Sequence, residues 1–237
     1  MRGCLFILVL GGAFLAAVAW FGALPLTGSL VDATLAGSGF QAAGRTITVT
    51  ADPPPRVLTG HADVILIDAT DVSWRTLKAS RMTLELDDVD LFGRTARAIH
   101  GRIDDATILS EGVAGSGLAL STFDFDGPPG AAVATSTVDA ATIRGLVVAA
   151  VAHEFNVTTT AVELVAPNRL RLTIPDATIE ASLVIDGSGA LAISTPLGSV
   201  EMFRMDPSIP LRLVSASVVA GELRLDGVLD LTGLLRG

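Results

Sequence analysis

A chain of 237 residues with a net charge of −9, half of it hydrophobic, has room for one large domain or two small ones. That acidity excludes ordinary nucleic-acid binding and attachment to anionic lipid through a polybasic patch. A mean hydropathy of +0.58 requires much of the apolar surplus to be buried or to face an apolar ligand.

The first element is an uncharged run, Leu5–Leu26, behind a short start bearing Arg2. As a helix it would reach about 33 Å, enough to cross a hydrocarbon core of about 30 Å. Arg2 and the free amine favour the cytoplasmic side, and the next charge is Asp32, so the remainder belongs on the extracytoplasmic face. Trp20 and Phe21 suit the outer interface, and Pro25 is expected to end the helix. Ala17-Val18-Ala19 has the form of a cleavage site but lies inside the apolar run. Residues 1–26 therefore read as a retained transmembrane signal-anchor, the domain being secreted or periplasmic if that site is cut. Residues 27–45, rich in Gly, Ser and Ala, read as a tether with at most one weak helical turn, and 46–237 as the exported domain.

In that domain Thr46–Thr50 alternates as a strand and is stopped by Pro53, Pro54 and Pro55. Val64–Ile67 is apolar on both faces and reads as a strand covered twice. Over Arg81–Asp87, Met82, Leu84 and Leu86 share one face. The same alternation recurs in Arg169–Ile174 and Ile179–Ile185, the latter followed by the turn Asp186–Gly189. Leu211–Val219 and Glu222–Leu231 flank a turn at Ala220-Gly221. Thr137–Phe155 breaks the pattern: Thr137 is the expected N-cap, and the helix behind it is apolar nearly all round, hence expected to be buried across the concave face of the strands. These elements predict an α+β fold. Its curved, mostly antiparallel sheet, or half-barrel, wraps around a long apolar helix, behind one N-terminal transmembrane helix.

Gly60-His61-Ala62-Asp63 and Gly101-Arg102-Ile103-Asp104 are two similar strand starts. Asp52–Val72, continuing into LKASRMTLELDDVDL and HGRIDDATI, resembles the LmeA-like family of bacterial envelope proteins. The likeness extends over 45–232 through the mid-chain helix introduced by Thr-Val-Asp-Ala-Ala-Thr, with His61 standing where a basic residue such as Arg is expected. The resemblance implies a tubular lipid-binding type of fold, phospholipid binding at the extracytoplasmic face, and a role in envelope lipid or glycolipid metabolism. Its motifs are structural glycines and aspartates, so it carries over no catalytic residue.

Nothing in the residues themselves argues for catalysis or a cofactor. His153-Glu154-Phe155-Asn156-Val157 lacks the second histidine of a zinc-protease helix, and His153 suits a helix C-terminus instead. Asp124-Phe125-Asp126-Gly127 is followed by Pro128 and Pro129 rather than by the further ligands of a calcium loop. His61 and His100 sit where surface residues belong. The single cysteine, Cys4, forms no intramolecular disulfide and no cysteine-based metal site.

If acyl chains are enclosed, the residues expected to line them are Ile143, Leu146, Val147, Ala150 and Val151 on the helix, with Leu170, Leu172, Leu183 and Ile185 on strands. The residues alone favour a dry packed core, and the resemblance shifts the expectation to a phospholipid partner at the membrane. The alternative is a non-catalytic envelope scaffold with a filled core; an envelope hydrolase has the least support.

Overall fold

The structure is a computed structural model in which residues 24–109, 117–195, 198–207 and 209–233 are described. Most of the predicted membrane anchor, residues 1–23, lies outside the described residues. Among the described residues no helix is long and apolar enough to cross a membrane.

Residues 24–37 are helical and form α1, where a tether was expected. The helix expected to end at Pro25 lies almost wholly outside the described residues, and Pro25 itself is part of α1. It occupies the second described position, and its carbonyl accepts the Ser29 hydroxyl one turn on. Leu24, Val31 and Leu35 turn inward onto the core, so the Gly, Ser and Ala positions that suggested a loop are overruled by packing of one apolar stripe.

An eight-stranded antiparallel sheet follows. Its strands are β1 (Gly44–Thr50), β2 (His61–Trp74), β3 (Leu77–Asp90), β4 (Ala98–Ile108), β5 (Leu118–Gly127), β6 (Ala132–Val138), β12 (Leu211–Val219) and β13 (Glu222–Leu229). They lie in the order β1-β2-β3-β4-β5-β6-β13-β12. The remaining five, β7 (Ala161–Val165), β8 (Arg169–Ile174), β9 (Ala177–Ile185), β10 (Leu191–Thr195) and β11 (Gly198–Phe203), make a second antiparallel sheet ordered β11-β10-β9-β8-β7. The prolines after β1 do not merely stop it: Pro54–Thr59 forms a 3-10 helix closed by Gly60 in the left-handed region. In β2, Ile65 and Ile67 are buried while Val64 and Leu66 stay partly exposed, so this strand is covered on one face more than the other.

The larger sheet is creased across its strands. Inward-facing residues normally recur every second position. In four adjacent strands the step becomes three at one level, from Ala69 to Val72, Ala79 to Met82, Ile103 to Ala106 and Leu120 to Phe123, all buried. Ladder pairing skips Asp71 opposite Ser80, Ser80 opposite Asp105, and Asp105 opposite Ser121. At this level Asp71 and Asp105 have φ of 51° and 49°, the left-handed region that Asp tolerates better than branched residues. Each pair keeps one register on both sides of this level, so the interruption is shared by the four strands and no strand gains a residue over its neighbour.

The mid-chain helix, α2 (Ala140–Phe155), touches β7 and β11, the two edges of the five-stranded sheet, and also β13. The smaller sheet therefore curls about this helix, and β12 packs on β9 to join the two sheets. The α+β, mostly antiparallel and curved architecture agrees with the sequence expectation. The long buried helix does not: α2 has 16 residues, and its buried set is one stripe, with Arg144, Gly145, Val148 and Ala152 facing outward. Apolar composition on every side misled because Ala and Gly tolerate solvent at little cost. The N-cap is Asp139, not Thr137, which is the penultimate residue of β6.

Candidate functional site

Each predicted lining residue has a definite place. Ile143, Leu146, Val147, Ala150 and Val151 repeat at the 3, 4, 7 and 8 spacing of one helix face and are all buried. Leu170 and Leu172 lie on the inward face of β8, and Leu183 on that of β9, each almost fully covered. Ile185, at the end of β9, is partly covered. All nine belong to, or pack against, the same contiguous apolar core.

The helix that carries five of them is fixed at both ends. The Asp139 carboxylate accepts from the Ala141 and Thr142 amides at 2.8 and 2.9 Å and from the Thr142 hydroxyl at 2.6 Å. The Thr142 hydroxyl and amide hold its pKa below the ordinary carboxylate value, against a smaller opposing effect of burial. At the other end Asn156 closes the helix in the left-handed region, with His153 in the last turn as expected.

Sequence reasoning missed the outer side of this helix. Arg144, Gly145 and Val148 form one wall of an open depression of about 500 Å³, and Thr160, Ala161 and Val162 beside β7 form the other. Arg144 spans the two walls, its Nε donating to the Val162 carbonyl at 3.1 Å. Arg144-Gly145 inside an otherwise apolar helix was the available signal, since a cation and a missing side chain mark a face not meant for close packing. A second depression of about 310 Å³, lined by Arg169, Glu180, Ser182 and Thr195 among others, lies on the polar side of the same sheet.

The histidines separate. His61 starts β2 with its Nδ1 facing the Thr59 carbonyl. His100 stands between two carboxylates, Nδ1 being 2.7 Å from Asp126 and Nε2 3.3 Å from Asp87. Period-two facing predicts this cluster once β3, β4 and β5 are known to be neighbours, because Asp87 and Asp126 are then adjacent to His100 on the outer face. It continues a polar face of ion pairs, Arg81 with Asp68 and Arg102 with Asp104 and Asp124. The Asp124–Gly127 stretch is the end of β5, not a cation loop, and no metal-binding group of His, Cys, Asp or Glu occurs among the described residues.

No protein-family model, curated protein or solved structure matches the chain.

Proposed function

We propose that this chain is a non-catalytic, membrane-tethered phospholipid-binding protein of the extracytoplasmic face, serving envelope lipid or glycolipid metabolism or transfer. The observation that carries the proposal is the way the smaller sheet curls around α2. Contact with both β7 and β11 places an almost wholly apolar layer between helix and sheet. Acyl chains entering that layer would exchange water for hydrocarbon at about 0.8 kcal/mol per CH₂. The depression along Arg144, Val148 and Val162 opens beside the same helix, with a cation at its wall suited to a phosphate headgroup. The apolar run Leu5–Leu26, the acidic domain after it and the resemblance to the LmeA-like family support the location.

One feature favours the second reading, an envelope scaffold with a filled core. Eight of the nine lining residues are already closed against one another and their neighbours. The two readings separate in one experiment: the full chain is extracted in mild detergent, washed, and submitted to native mass spectrometry with lipid extraction. A phospholipid retained at near one copy per chain, and taken up again from vesicles after delipidation, is the expected result. No retained lipid and no uptake would leave the scaffold.

A further inference from the structure

The path of α1 shows which end of the larger sheet its first residues approach. Asp32 pairs with Arg45, and Gly28 lies against the Ile47 carbonyl. Four residues back along the helix, about 6 Å, thus match two residues forward along β1, about 6.6 Å. The helix is antiparallel to β1, and its start points toward the end of that strand. Val49 pairs with Ile65 there, and β2 begins four residues further out at His61, opposite Asp90. Leu24, the first described residue, therefore lies toward the end of the sheet that carries the Pro54–Thr59 helix and the β3–β4 turn.

Among the described residues, that same end presents the most exposed large apolar side chains of the larger sheet's connections. Phe92 is 76 % exposed and Leu58 54 %. Their exposure is built rather than incidental. The Asp90 carboxylate accepts from the Phe92 and Gly93 amides at 3.0 and 2.8 Å, and the Leu91 amide donates to the Gly60 carbonyl at 2.7 Å. The Phe92 ring then lies over Gly60, where a Cβ would fall 2.4 Å from its edge. A glycine at this point supports one side of the ring while the other faces out. Leu58 is two residues before Gly60.

Resting on the tethered-membrane reading above, we infer that this end of the sheet faces the bilayer and that Leu58 and Phe92 enter its headgroup boundary. The occupant is the lipid surface itself. A domain of net negative charge gains nothing from anionic lipid, so insertion is apolar and proceeds on zwitterionic membranes. It fixes the orientation of the domain, which a single anchor would leave free to rotate.

The test uses the full chain with Cys4→Ser, carrying one cysteine at a time as Phe92→Cys, Leu58→Cys or Val219→Cys, each labelled with an environment-sensitive fluorophore. Val219 is 55 % exposed but sits at the opposite end of the strands, beside the Ala220-Gly221 turn. The proteins are reconstituted into phosphatidylcholine vesicles with and without a lipid bearing a shallow nitroxide, then floated. The expected result is flotation of all three, with labels at 92 and 58 quenched about twofold or more beyond the label at 219, unaffected by salt. Flotation with equal, weak quenching at all three positions overturns this inference and leaves the tether standing. A label at 92 whose signal follows protein concentration rather than nitroxide lipid assigns the patch to a second copy and overturns it too. Failure to float overturns the tether and the inference together.

Discussion

The Ser80 hydroxyl of β3 lies 3.0 Å from the Asp105 carboxylate and 3.0 Å from the Asp104 carbonyl of β4, across the crease that bends the larger sheet. Ser80 thus supplies one proton to the interrupted level of the ladder, where Asp105 has φ of 49°. The backbone there sits where a Cβ crowds the following carbonyl, at about 1–2 kcal/mol for a branched residue. Asp105→Val should lower stability by roughly that amount plus the lost hydrogen bond, about 2–3 kcal/mol altogether. Ser80→Ala should cost only about 0.5–1.5 kcal/mol, and Asp105→Gly should stay within about 1 kcal/mol, because glycine adopts the conformation freely. Denaturant midpoints of the three variants, followed by far-ultraviolet dichroism, check the order. Equal losses for Val and Gly would show that left-handed strain has no part in the bend.

Asp139 should make the stability of α2 depend on acid. Its pKa is held below the ordinary carboxylate value by the Thr142 hydroxyl and amide, so the folded state favours the ionised form. The sign follows: the contribution is fully present above the unfolded value of about 4 and is lost as pH falls through the lower folded value. Asp139→Ala should cost about 1 kcal/mol at pH 7 and progressively less below pH 4, whereas Asp139→Asn keeps most of the cap and loses the pH dependence. Unfolding at a series of pH values tests this, and a pH-independent difference between wild type and Ala would contradict it.

The two faces of α2 should respond differently. Ile143 is wholly buried, and Ile143→Ala should cost about 2–5 kcal/mol. Val148, on the wall of the depression, should lose under about 1 kcal/mol on change to Ala. If lipid occupies the depression, Val148→Asp should leave the unfolding midpoint of the delipidated chain nearly unchanged while lowering phospholipid retention. A severe loss of stability in both Val148 variants would instead mean that this face is packed in the native protein.

Some strands were legible from one solvated face, whereas β5 and β6, which also alternate, were not named. Met82, Leu84 and Leu86 opposite Arg81, Thr83 and Glu85 need only the two-residue period, and the hairpin at Ala220-Gly221 follows from the positive φ its residues must adopt. The crease was not legible, because it shows in sequence only as a lapse in alternation, and four lapses acquire meaning once register aligns Asp71, Ser80, Asp105 and Ser121. The helical character of 24–37 was hidden for the opposite reason. Its local composition is weakly helical, and what decides it is the packing of Leu24, Val31 and Leu35 on the core, a tertiary contact that sequence order alone does not show. The lining residues were recoverable as one set because helix and strand periods each fix a face, but whether those faces enclose space depends on how far apart they sit, which no period encodes.

Gly101 and Phe125 give the most direct check on the larger sheet. They pair across β4 and β5, and a Cβ on Gly101 would lie 2.1 Å from Phe125 Cζ. The buried Phe125 ring therefore fills the space a side chain at 101 would take, with Phe123 tilted against it at a centroid distance of 5.7 Å. A glycine in mid-strand weakens the ladder unless a neighbour covers it, and the aromatic ring does so. Gly101→Ala should force the ring aside and cost about 1–3 kcal/mol despite the better strand propensity of alanine. Phe125→Ala alone should cost about 3–5 kcal/mol. In the double variant the clash disappears, so the two losses should fall short of additivity by about 1–2 kcal/mol. A double-mutant cycle read from denaturant unfolding measures that coupling. Strict additivity would mean that the ring does not rest on the glycine in solution.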